Sequence, residues 1–364
     1  MYAPVAWLAI FRILLATANC NNWPVESFNF DSTFLNSVLK ANEKVFMEQP
    51  KEYQLADPKH YVFRLFKALY SLKQGERNWY EALMEALLQL GFHRTEADHG
   101  TFIKKWENSR IIILAVHIDD CMITGSSIKL INKSKAEMNG KYKLTDLGPC
   151  TWLLRIKITH DLIRQTIALS QCTYLKVILT RFNFDDLKPS VVPMDHNQPL
   201  SRSQCLSTLV DITRMKNVPY CEAVGSLMYT AMGTRPDITF GISTVVQFMD
   251  NPGWAHWKAV KQIFCYLKGM KDLELVYGGE EMDLVGFVDA DGALQEHWHA
   301  ISGYVFMVDG GAVLWLLKKQ ELVTLSTMEA KYVAATHAAK EAVWLHCLIG
   351  KLFISPPQSM VITS

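Results

Sequence analysis

The sequence lacks a surplus of charge of either sign. Its 37 Lys and Arg residues nearly balance 36 Asp and Glu residues, which leaves a formal charge of +1 over 364 residues. That balance argues against a polycationic tail or a supercharged surface. Repeats and low-complexity tracts are also absent, and the 49% hydrophobic and 20% charged residues are near globular averages. We therefore predict a globular chain of two or three domains, at roughly 150 residues each.

The usual cysteine patterns are absent as well. Eight cysteines are scattered along the chain, with no Cys-x-x-Cys pair and no clustered spacing of Cys and His. This distribution indicates neither a zinc site nor a small disulfide scaffold. We expect reduced thiols and a cytoplasmic or nuclear location.

No apolar run is long enough to span a membrane. Residues 3–18 are mostly apolar, but Arg12 interrupts them and no basic segment precedes them. A secretion signal is therefore the weaker alternative, and fewer than about 18 uninterrupted apolar residues do not make a transmembrane helix. An amphipathic helix explains the run better, because apolar residues recur at helical spacing on one face: Leu8, Phe11, Leu15 and Ala18.

The first half of the chain combines strand and helix patterns. Residues 26–34 alternate and are rich in aromatic side chains, which predicts a strand. A strand followed by helices indicates an α+β domain. Residues 65–91 show helical spacing around four apolar positions, which are Trp79, Leu83, Leu87 and Leu90.

Two adjacent acids lie between apolar segments. Residues 111–118 and 121–124 have the pattern of two strands, so Asp119 and Asp120 are predicted to lie at the tip of a β-hairpin. Carboxylates that project from a rigid support toward one point can hold divalent cations. A polar turn is the alternative, because turns favour Asp.

The second half begins with a predicted connector. Residues 188–219 are rich in Pro, Ser, Asp, Asn and Gln and show little periodicity. Helices and then strands follow, which indicates a second α+β unit. The predicted helices are Tyr220–Met232, Ile238–Met249 and Trp254–Leu267, the predicted strands are Leu284–Asp289, Gly303–Val308 and Ala312–Leu316, and a last helix runs from Ser326 to about Ile349.

Several motifs occur in the order found in one known family. Residues 65–80 read Leu-Phe-Lys-Ala-Leu-Tyr-Ser-Leu-Lys-Gln-Gly-Glu-Arg-Asn-Trp-Tyr, and with His117-Ile118-Asp119-Asp120 they resemble the reverse transcriptase of copia-type retrotransposons. Further matches are Thr-Asp-Leu-Gly at 145–148, Gly-Ser-Leu-Met-Tyr at 225–229 and Thr-Arg-Pro-Asp-Ile at 234–238. Segments 289–291, 302–304, 318–320 and 325–330 resemble the ribonuclease H that follows this polymerase in the family's polyproteins.

The resemblance implies an α+β fold in three parts. Residues 1–165 correspond to a reverse transcriptase palm without fingers, 166–275 to a helical thumb or connection region, and 276–364 to an incomplete ribonuclease H-like unit. The chain begins at what resembles the middle of the family's polymerase, and it stops at Ser364, where the next catalytic Asp of the family would begin its strand. Both catalytic units are therefore expected to be truncated.

In the family, three palm acids hold two Mg²⁺ ions that activate the primer 3′-hydroxyl. Asp119 and Asp120 match two of these acids. The first lies five residues before the Phe of Ala-Phe-Leu-Asn, which is Thr-Phe-Leu-Asn at 33–36 here, so Asn29 replaces it. An amide bridges hard cations poorly, and Mg²⁺ binding is expected to be weak or absent. Asp31 is no substitute, because two residues of strand displace its carboxylate by about 6.6 Å.

Other site residues follow from the same resemblance. Gln74 matches a position near the incoming nucleotide, although a side chain at a helix start explains it equally well. Asp289 and Glu329 match the first two metal-binding acids of ribonuclease H, with solvated or capping residues as the alternative. An RNA or DNA template-primer is the implied partner, and no membrane is.

Departures from the family's pattern outside these acids include three single residues. Ser71 stands where the family has Gly, and Lys331 replaces a usual Glu. Arg155 stands where a Gly is expected before Ile156, and it is expected to crowd that position.

The sequence thus predicts a catalytically inactive piece of a copia-type polymerase and ribonuclease H. A non-catalytic nucleic-acid-binding protein and an open reading frame with no selected role are the alternatives. Five lysines could track a phosphate backbone, although a solvated face is the commoner explanation; they are Lys129, Lys133, Lys135, Lys141 and Lys143.

Overall fold

The computed structural model describes residues 3–40, 42–55, 57, 60–107, 110–195, 199–279, 283–291, 299–352 and 360–363. The chain forms two compact units, Met1–Phe11 with Trp23–Cys150 and Arg12–Asn22 with Thr151–Ser364. Each unit contains helices and strands, so the predicted α+β class is confirmed. The three-part division at residues 165 and 275 stays a prediction.

The first helix, α1, spans Leu8–Cys20 and confirms the helix but not its predicted amphipathic pattern. All side chains from Ala9 to Asn19 are buried, because apolar residues occur on all sides of this helix and its few polar residues are enclosed with them. Arg12 is 5% exposed and stacks on Trp315, with its Cζ 3.9 Å from the ring centroid. Its guanidinium donates to three backbone carbonyl oxygens, those of Met232, Gly233 and Val313.

The first unit is built on a six-stranded antiparallel sheet. Its elements are β1 (Val25–Phe30), β2 (Val45–Met47), β3 (Phe63–Leu65), α2 (Gly75–Gln89), β4 (His93–Arg94), β5 (Thr101–Lys105), β6 (Ile111–His117), β7 (Asp120–Gly125), α3 (Ile128–Asn139) and β8 (Leu144–Pro149). The strand order is β4-β5-β6-β7-β1-β8, and β2 and β3 form a separate two-stranded ribbon. The continuous apolar run of β6 places it inside the sheet, since such runs suit strands buried on both faces.

The second unit combines two four-stranded sheets with a group of helices. Its elements are β9 (Trp152–Leu153), β10 (Ile156–Asp161), β11 (Thr166–Ser170), α4 (Cys172–Arg181), α5 (Leu209–Met215), α6 (Tyr220–Gly233), α7 (Thr239–Val245), α8 (Trp254–Gly269), β12 (Leu275–Tyr277), β13 (Leu284–Asp291), β14 (Ile301–Val308), β15 (Gly311–Lys319), α9 (Thr327–Leu352) and β16 (Met360–Thr363). The sheet orders are β12-β11-β10-β9 and β15-β14-β13-β16, with β16 parallel to β13. Among the described helices, none combines the length and apolar character that crossing a bilayer requires.

The last helix shows how sequence spacing fixes packing in the second unit. In α9, buried alanines recur at every fourth position and are followed by buried leucines and an isoleucine. Small side chains let the helix lie close to β13 and β14, which it contacts. The buried residues are Ala330, Ala334, Ala338, Ala342, Leu345, Leu348, Ile349 and Leu352.

Several element predictions need correction. Of the segment 65–91, predicted to be helical by its spacing, Leu65 ends β3, and the helix begins only at Gly75. The predicted connector contains a short helix, α5, and β16 was not predicted. The helices and strands predicted between 220 and 349 are confirmed, with ends that differ by a few residues.

Two replaced glycine positions have left-handed backbone. Ser71 has φ 70° and Arg155 has φ 61°, a region that favours glycine because it has no Cβ. The Arg155 side chain is exposed, so the expectation that it crowds its surroundings is wrong. The cost of both replacements lies in the backbone conformation.

Candidate active site

The two adjacent acids lie at the tip of a tight hairpin. Strand β6 ends at His117, β7 begins at Asp120, and these two residues pair across the hairpin. Ile118 and Asp119 form the two-residue turn between them. Ile118 has φ 64°, an uncommon conformation for a β-branched residue. The predicted hairpin is therefore confirmed, with Asp119 in the turn and Asp120 as the first residue of the returning strand.

Strand β1 brings Asn29 to the same place. In the register of β1 with β7, Asn29 pairs directly with Asp120. The Asn29 amide donates a hydrogen bond to the Asp120 carboxylate. The backbone N–H of Phe30 also donates to the carbonyl oxygen of Asp119, at 3.2 Å. The three positions that the resemblance assigns to the polymerase acids thus meet at one end of the hairpin.

The charge balance of this cluster is unfavourable for an ionised Asp120. Burial raises the pKa of its carboxyl, and the nearby Asp119 charge raises it further. The hydrogen bond from Asn29 acts in the opposite direction by stabilising the charged form. The hydrogen bond from the Asn29 amide offsets these effects only partly, so the pKa of Asp120 stays above that of a solvated Asp.

A tryptophan of α2 fixes the hairpin tip. The sequence predicted Trp79 only as an apolar position of a helix. Trp79 is 2% exposed, and its Nε1–H donates to the carbonyl oxygen of Ile118 at 3.0 Å. Its ring packs edge-on against Phe30 of β1, with centroids 5.4 Å apart. Trp79 is therefore a positioning residue. A buried indole N–H needs a hydrogen-bond acceptor, and this need was the feature of the sequence that could have indicated the role.

Asp31 is already engaged by other partners. Its carboxylate accepts a hydrogen bond from Thr145 Oγ1 at 2.6 Å and lies 3.2 Å from Lys143 Nζ. The hydrogen bond from Thr145 and then that from Lys143 hold the pKa of Asp31 below its usual value. The Asp31 carboxylate is therefore engaged by Thr145 and Lys143 and does not replace the palm acid that is absent at position 29.

Gln74 lies at the start of α2, where its backbone carbonyl accepts a hydrogen bond from the Asn78 N–H at 3.0 Å. Its side chain makes no capping hydrogen bond. Within the described ranges no contact joins Gln74 to Asp119 or Asp120. A nucleotide-binding role for Gln74 stays a prediction.

The second pair of acids is held by other partners. Asp289 of β13 has a 76% exposed side chain, and its Oδ1 lies 3.2 Å from Lys331 Nζ. A hydrogen bond from the Ala290 N–H, and then Lys331, lower the pKa of Asp289. The Glu329 carboxylate accepts the Leu325 N–H at 2.7 Å at the start of α9, as the capping alternative predicted. No group of three or more metal-binding side chains occurs in the part of the chain that the structure describes.

Of the five lysines, Lys135 is buried, and a phosphate-binding role for the other four stays a prediction. Lys135 of α3 is 4% exposed, forms an ion pair with Glu26, and lies 2.6 Å from Asp146 Oδ1. Neither the phosphate interpretation nor the solvated-face interpretation holds for Lys135. Contacts also engage Lys133 with Glu137 at 3.9 Å, Lys141 with Gln89 at 3.0 Å, and Lys143 with Asp31 at 3.2 Å, whereas Lys129 is exposed.

Comparisons with known proteins agree with the motifs. Residues 1–196 match the reverse transcriptase (RNA-dependent DNA polymerase) family. The chain is 36% identical over 362 residues to a retrovirus-related Pol polyprotein from transposon TNT 1-94 of Nicotiana tabacum, a match that covers 99% of this chain and 27% of that polyprotein. It is 30% identical over 355 residues to the polyprotein from transposon RE2 of Arabidopsis thaliana, covering 97% and 24%.

The chain thus spans about a quarter of the length of these two relatives. A solved foamy viral protease-reverse transcriptase in complex with an RNA/DNA hybrid is 10% identical, with a TM-score of 0.40 over 88% of this chain and 37% of that one. A likeness of that strength does not identify a fold.

Proposed function

The chain belongs to the reverse transcriptase (RNA-dependent DNA polymerase) family of copia-type retrotransposon Pol polyproteins, and from this membership we propose that it is a relative in which both nucleic-acid-processing sites are silent. In this proposal residues 1–165 are the palm, 166–275 the thumb or connection, and 276–364 a ribonuclease H-like unit. The observation that carries it is the direct pairing of Asn29 with Asp120, which puts an amide at the position where two-metal chemistry needs a third carboxylate.

The palm residues do not fit a pair of Mg²⁺ ions. Two cations about 3.5–4 Å apart repel each other strongly and need several anionic oxygens to offset that repulsion. Asp119 and Asp120 supply two carboxylates, and burial disfavours the charged form of Asp120. Asn29 uses its amide group to donate to Asp120, and an amide brings no charge. One weakly held, mostly hydrated cation is the most that this donor set supports.

The ribonuclease H-like residues do not fit a metal pair either. Lys331 places a positive charge beside Asp289, and this charge opposes the approach of a cation. Glu329 uses its carboxylate to accept a backbone N–H at the start of α9. Each acid therefore has a structural partner in place of a metal.

A primer-extension assay tests the proposal. The purified chain is mixed with primed RNA or DNA template, nucleotides and Mg²⁺ or Mn²⁺, and compared with an Asp119→Ala/Asp120→Ala variant. No extension above that variant is expected. Extension that the double substitution abolishes would overturn the proposal for the palm, and Asp289-dependent cleavage of an RNA·DNA hybrid would overturn it for the second site.

A second candidate, non-catalytic binding of nucleic acid, is favoured by one observation. The ribbon formed by β2 and β3 exposes aromatic and basic side chains together on one face. Such surfaces bind nucleic acid without any metal chemistry.

A further inference from the structure

A cavity of about 740 Å³ lies in the second unit. This volume is within the range of ordinary small-molecule sites. Helix α5 and the first turn of α8 supply most of its lining, together with the loop that precedes α5. None of the acids assigned to the palm or to the ribonuclease H-like unit is among its described lining residues. The cavity is therefore a separate candidate for ligand binding.

One wall of the cavity is fixed by contacts to the first turn of α8. Gly253, the residue before this helix, lies so close to the carbonyl oxygen of Gln204 that a Cβ at position 253 would overlap that oxygen. The buried His256 ring accepts the Gly253 N–H at Nδ1, at 2.8 Å, and its Nε2 donates to the Ser201 carbonyl oxygen at 3.2 Å. These contacts hold residues 201–204 against α8, so this wall is formed before any ligand binds.

Donor groups in the lining are available to a ligand. Arg214 of α5 is exposed and forms no hydrogen bond or ion pair with any residue that the structure describes. Trp254 and Ala255 begin α8, and their backbone N–H groups meet no acceptor in the described part of the chain. The start of this 16-residue helix also carries the positive end of its dipole. Together these groups favour an anion.

The acid in the lining, Asp211, has a structural partner. Its Oδ2 accepts a hydrogen bond from the Thr208 hydroxyl at 2.6 Å, and the Asp211 N–H donates to Thr208 Oγ1 at 3.2 Å. These reciprocal contacts cap the start of α5. The Asp211 carboxylate therefore serves the helix, whereas the Arg214 guanidinium has no such partner.

Apolar and aromatic side chains complete the lining. Leu206 and the buried Met215 line the cavity, and so does Trp254, whose side chain is 61% exposed. Lys261 Nζ lies 5.6 Å from the centroid of the Trp254 ring and adds positive charge beside it. A flat apolar ligand can pack against these surfaces, since indole rings bind other aromatic rings by stacking and edge contacts.

We propose that this cavity binds a small aromatic carboxylate. Its carboxylate lies at Arg214 and at the first turn of α8, and its ring lies against Trp254 and Met215. A planar carboxylate suits a guanidinium, because the two groups form parallel hydrogen bonds. A simple inorganic anion would leave the apolar lining uncovered, and a neutral aromatic molecule would leave Arg214 without a partner. The inference goes beyond the proposed function, since neither acid cluster takes part in it.

Ligand-observed NMR titration of the full chain tests this site, with naphthoate as the probe. The expected Kd is about 0.1–1 mM. Naphthamide keeps the rings without the charge, and acetate keeps the carboxylate without the rings. Each should bind at least about tenfold more weakly than naphthoate. The samples contain no divalent metal and no nucleic acid, so the result does not depend on whether the proposed function is correct.

Two exposed cations provide the matched comparison. Arg214→Gln removes the proposed partner of the carboxylate and should weaken naphthoate binding at least about tenfold. Lys216→Gln removes an exposed cation that follows α5 and does not line the cavity, and it should leave binding unchanged. Trp254→Ala should weaken binding by about threefold or more, and thermal unfolding shows whether each variant is folded. No binding of naphthoate, equal binding of naphthamide, or equal losses from Arg214→Gln and Lys216→Gln would overturn the proposal.

Discussion

Asn29 donates its side-chain amide to the carboxylate of Asp120, directly across the β1–β7 pair. A carboxylate at position 29 would instead place a third negative charge against Asp119 and Asp120. An amide at position 29 therefore offers no carboxylate to a metal ion, and it adds no negative charge beside Asp119 and Asp120. In the proposed function, weak metal binding and a more stable metal-free fold follow from the same side chain.

Asn29→Asp is expected to reverse both effects. Without metal at pH 7, the free energy of unfolding should fall by about 1 kcal/mol because three acids then repel one another. Mn²⁺ should bind the variant at least about tenfold more tightly than the parent and restore its stability by mass action. Thermal unfolding with and without Mn²⁺ measures both. Asn139→Asp is the control, since the exposed Asn139 Oδ1 accepts the Leu144 N–H and an aspartate can do the same. Equal Mn²⁺ affinity in parent and variant would contradict the expectation.

The pH dependence of stability should reveal the raised pKa of Asp120. Between the usual value of 3.8 and the higher folded-state value, the folded chain binds more protons than the unfolded chain, so this group's contribution to stability falls as pH rises. Asp120→Asn should therefore raise Tm at pH 7, by about 1–2 °C since the group is only partly buried. The difference should vanish below pH 3.8, where both states are protonated. A difference that grows on acidification would contradict the sign.

Lys331→Gln is expected to raise the pKa of Asp289 toward its usual value. The rise should be incomplete, because the Ala290 N–H still donates to this carboxylate and is the larger cause of the shift. Stability should change by less than about 0.5 kcal/mol, since both partners are more than half exposed. An NMR titration of the Asp289 carboxyl checks this, with Lys340→Gln on the same helix as the control. An unchanged Asp289 titration would show that the ion pair does not form in solution.

Restoring glycine at the two left-handed positions should stabilise the chain. Ser71→Gly and Arg155→Gly each remove a Cβ from backbone with positive φ, and each should raise the free energy of unfolding by about 1 kcal/mol. Thermal unfolding should show a rise of roughly 2–4 °C per substitution. Ser207→Gly, at an exposed position without positive φ, should give no gain. Destabilisation by Ser71→Gly or Arg155→Gly would mean that the side chain contributes more than the backbone strain costs.

Two lysines of α3 should differ sharply. Lys135→Ala leaves the Glu26 carboxylate, which is only 12% exposed, without its cation and should lower the free energy of unfolding by about 3–5 kcal/mol. Lys129→Ala removes an exposed lysine from the same helix and should change it by less than about 0.5 kcal/mol. Urea unfolding of the two variants distinguishes these outcomes. Similar costs at both positions would exclude a stabilising buried pair.

Patterns that depend on near neighbours could be predicted from the sequence. The hairpin carrying Asp119 and Asp120 follows from two apolar runs and a turn, and α8 and α9 follow from helical spacing. Partners that are distant in sequence could not be predicted. Nothing in the local pattern distinguishes buried Lys135 from exposed Lys129. The partners of Lys135 are Glu26 of β1 and Asp146 of β8, and only the folded sheet brings them next to α3.

The site shows the same limit. Asn29 could be placed opposite the acids by its motif, and the β1–β7 register agrees. The clamp of Trp79 on Ile118 and the pairing of Lys331 with Asp289 depend on tertiary packing, which spacing does not encode.

Burial of Arg12 has a consequence for synthesis of the chain. Its guanidinium donates to the Val313 carbonyl, 301 residues later in the chain. At about 5–20 residues per second, roughly 15–60 s of translation separate the two groups. Ribosome-arrested chains should therefore show a protease-resistant α1 only after Val313 has emerged. Until then the Arg12 guanidinium lacks its carbonyl acceptor on β15, and part of a helix that is buried in the folded chain stays open to chaperones.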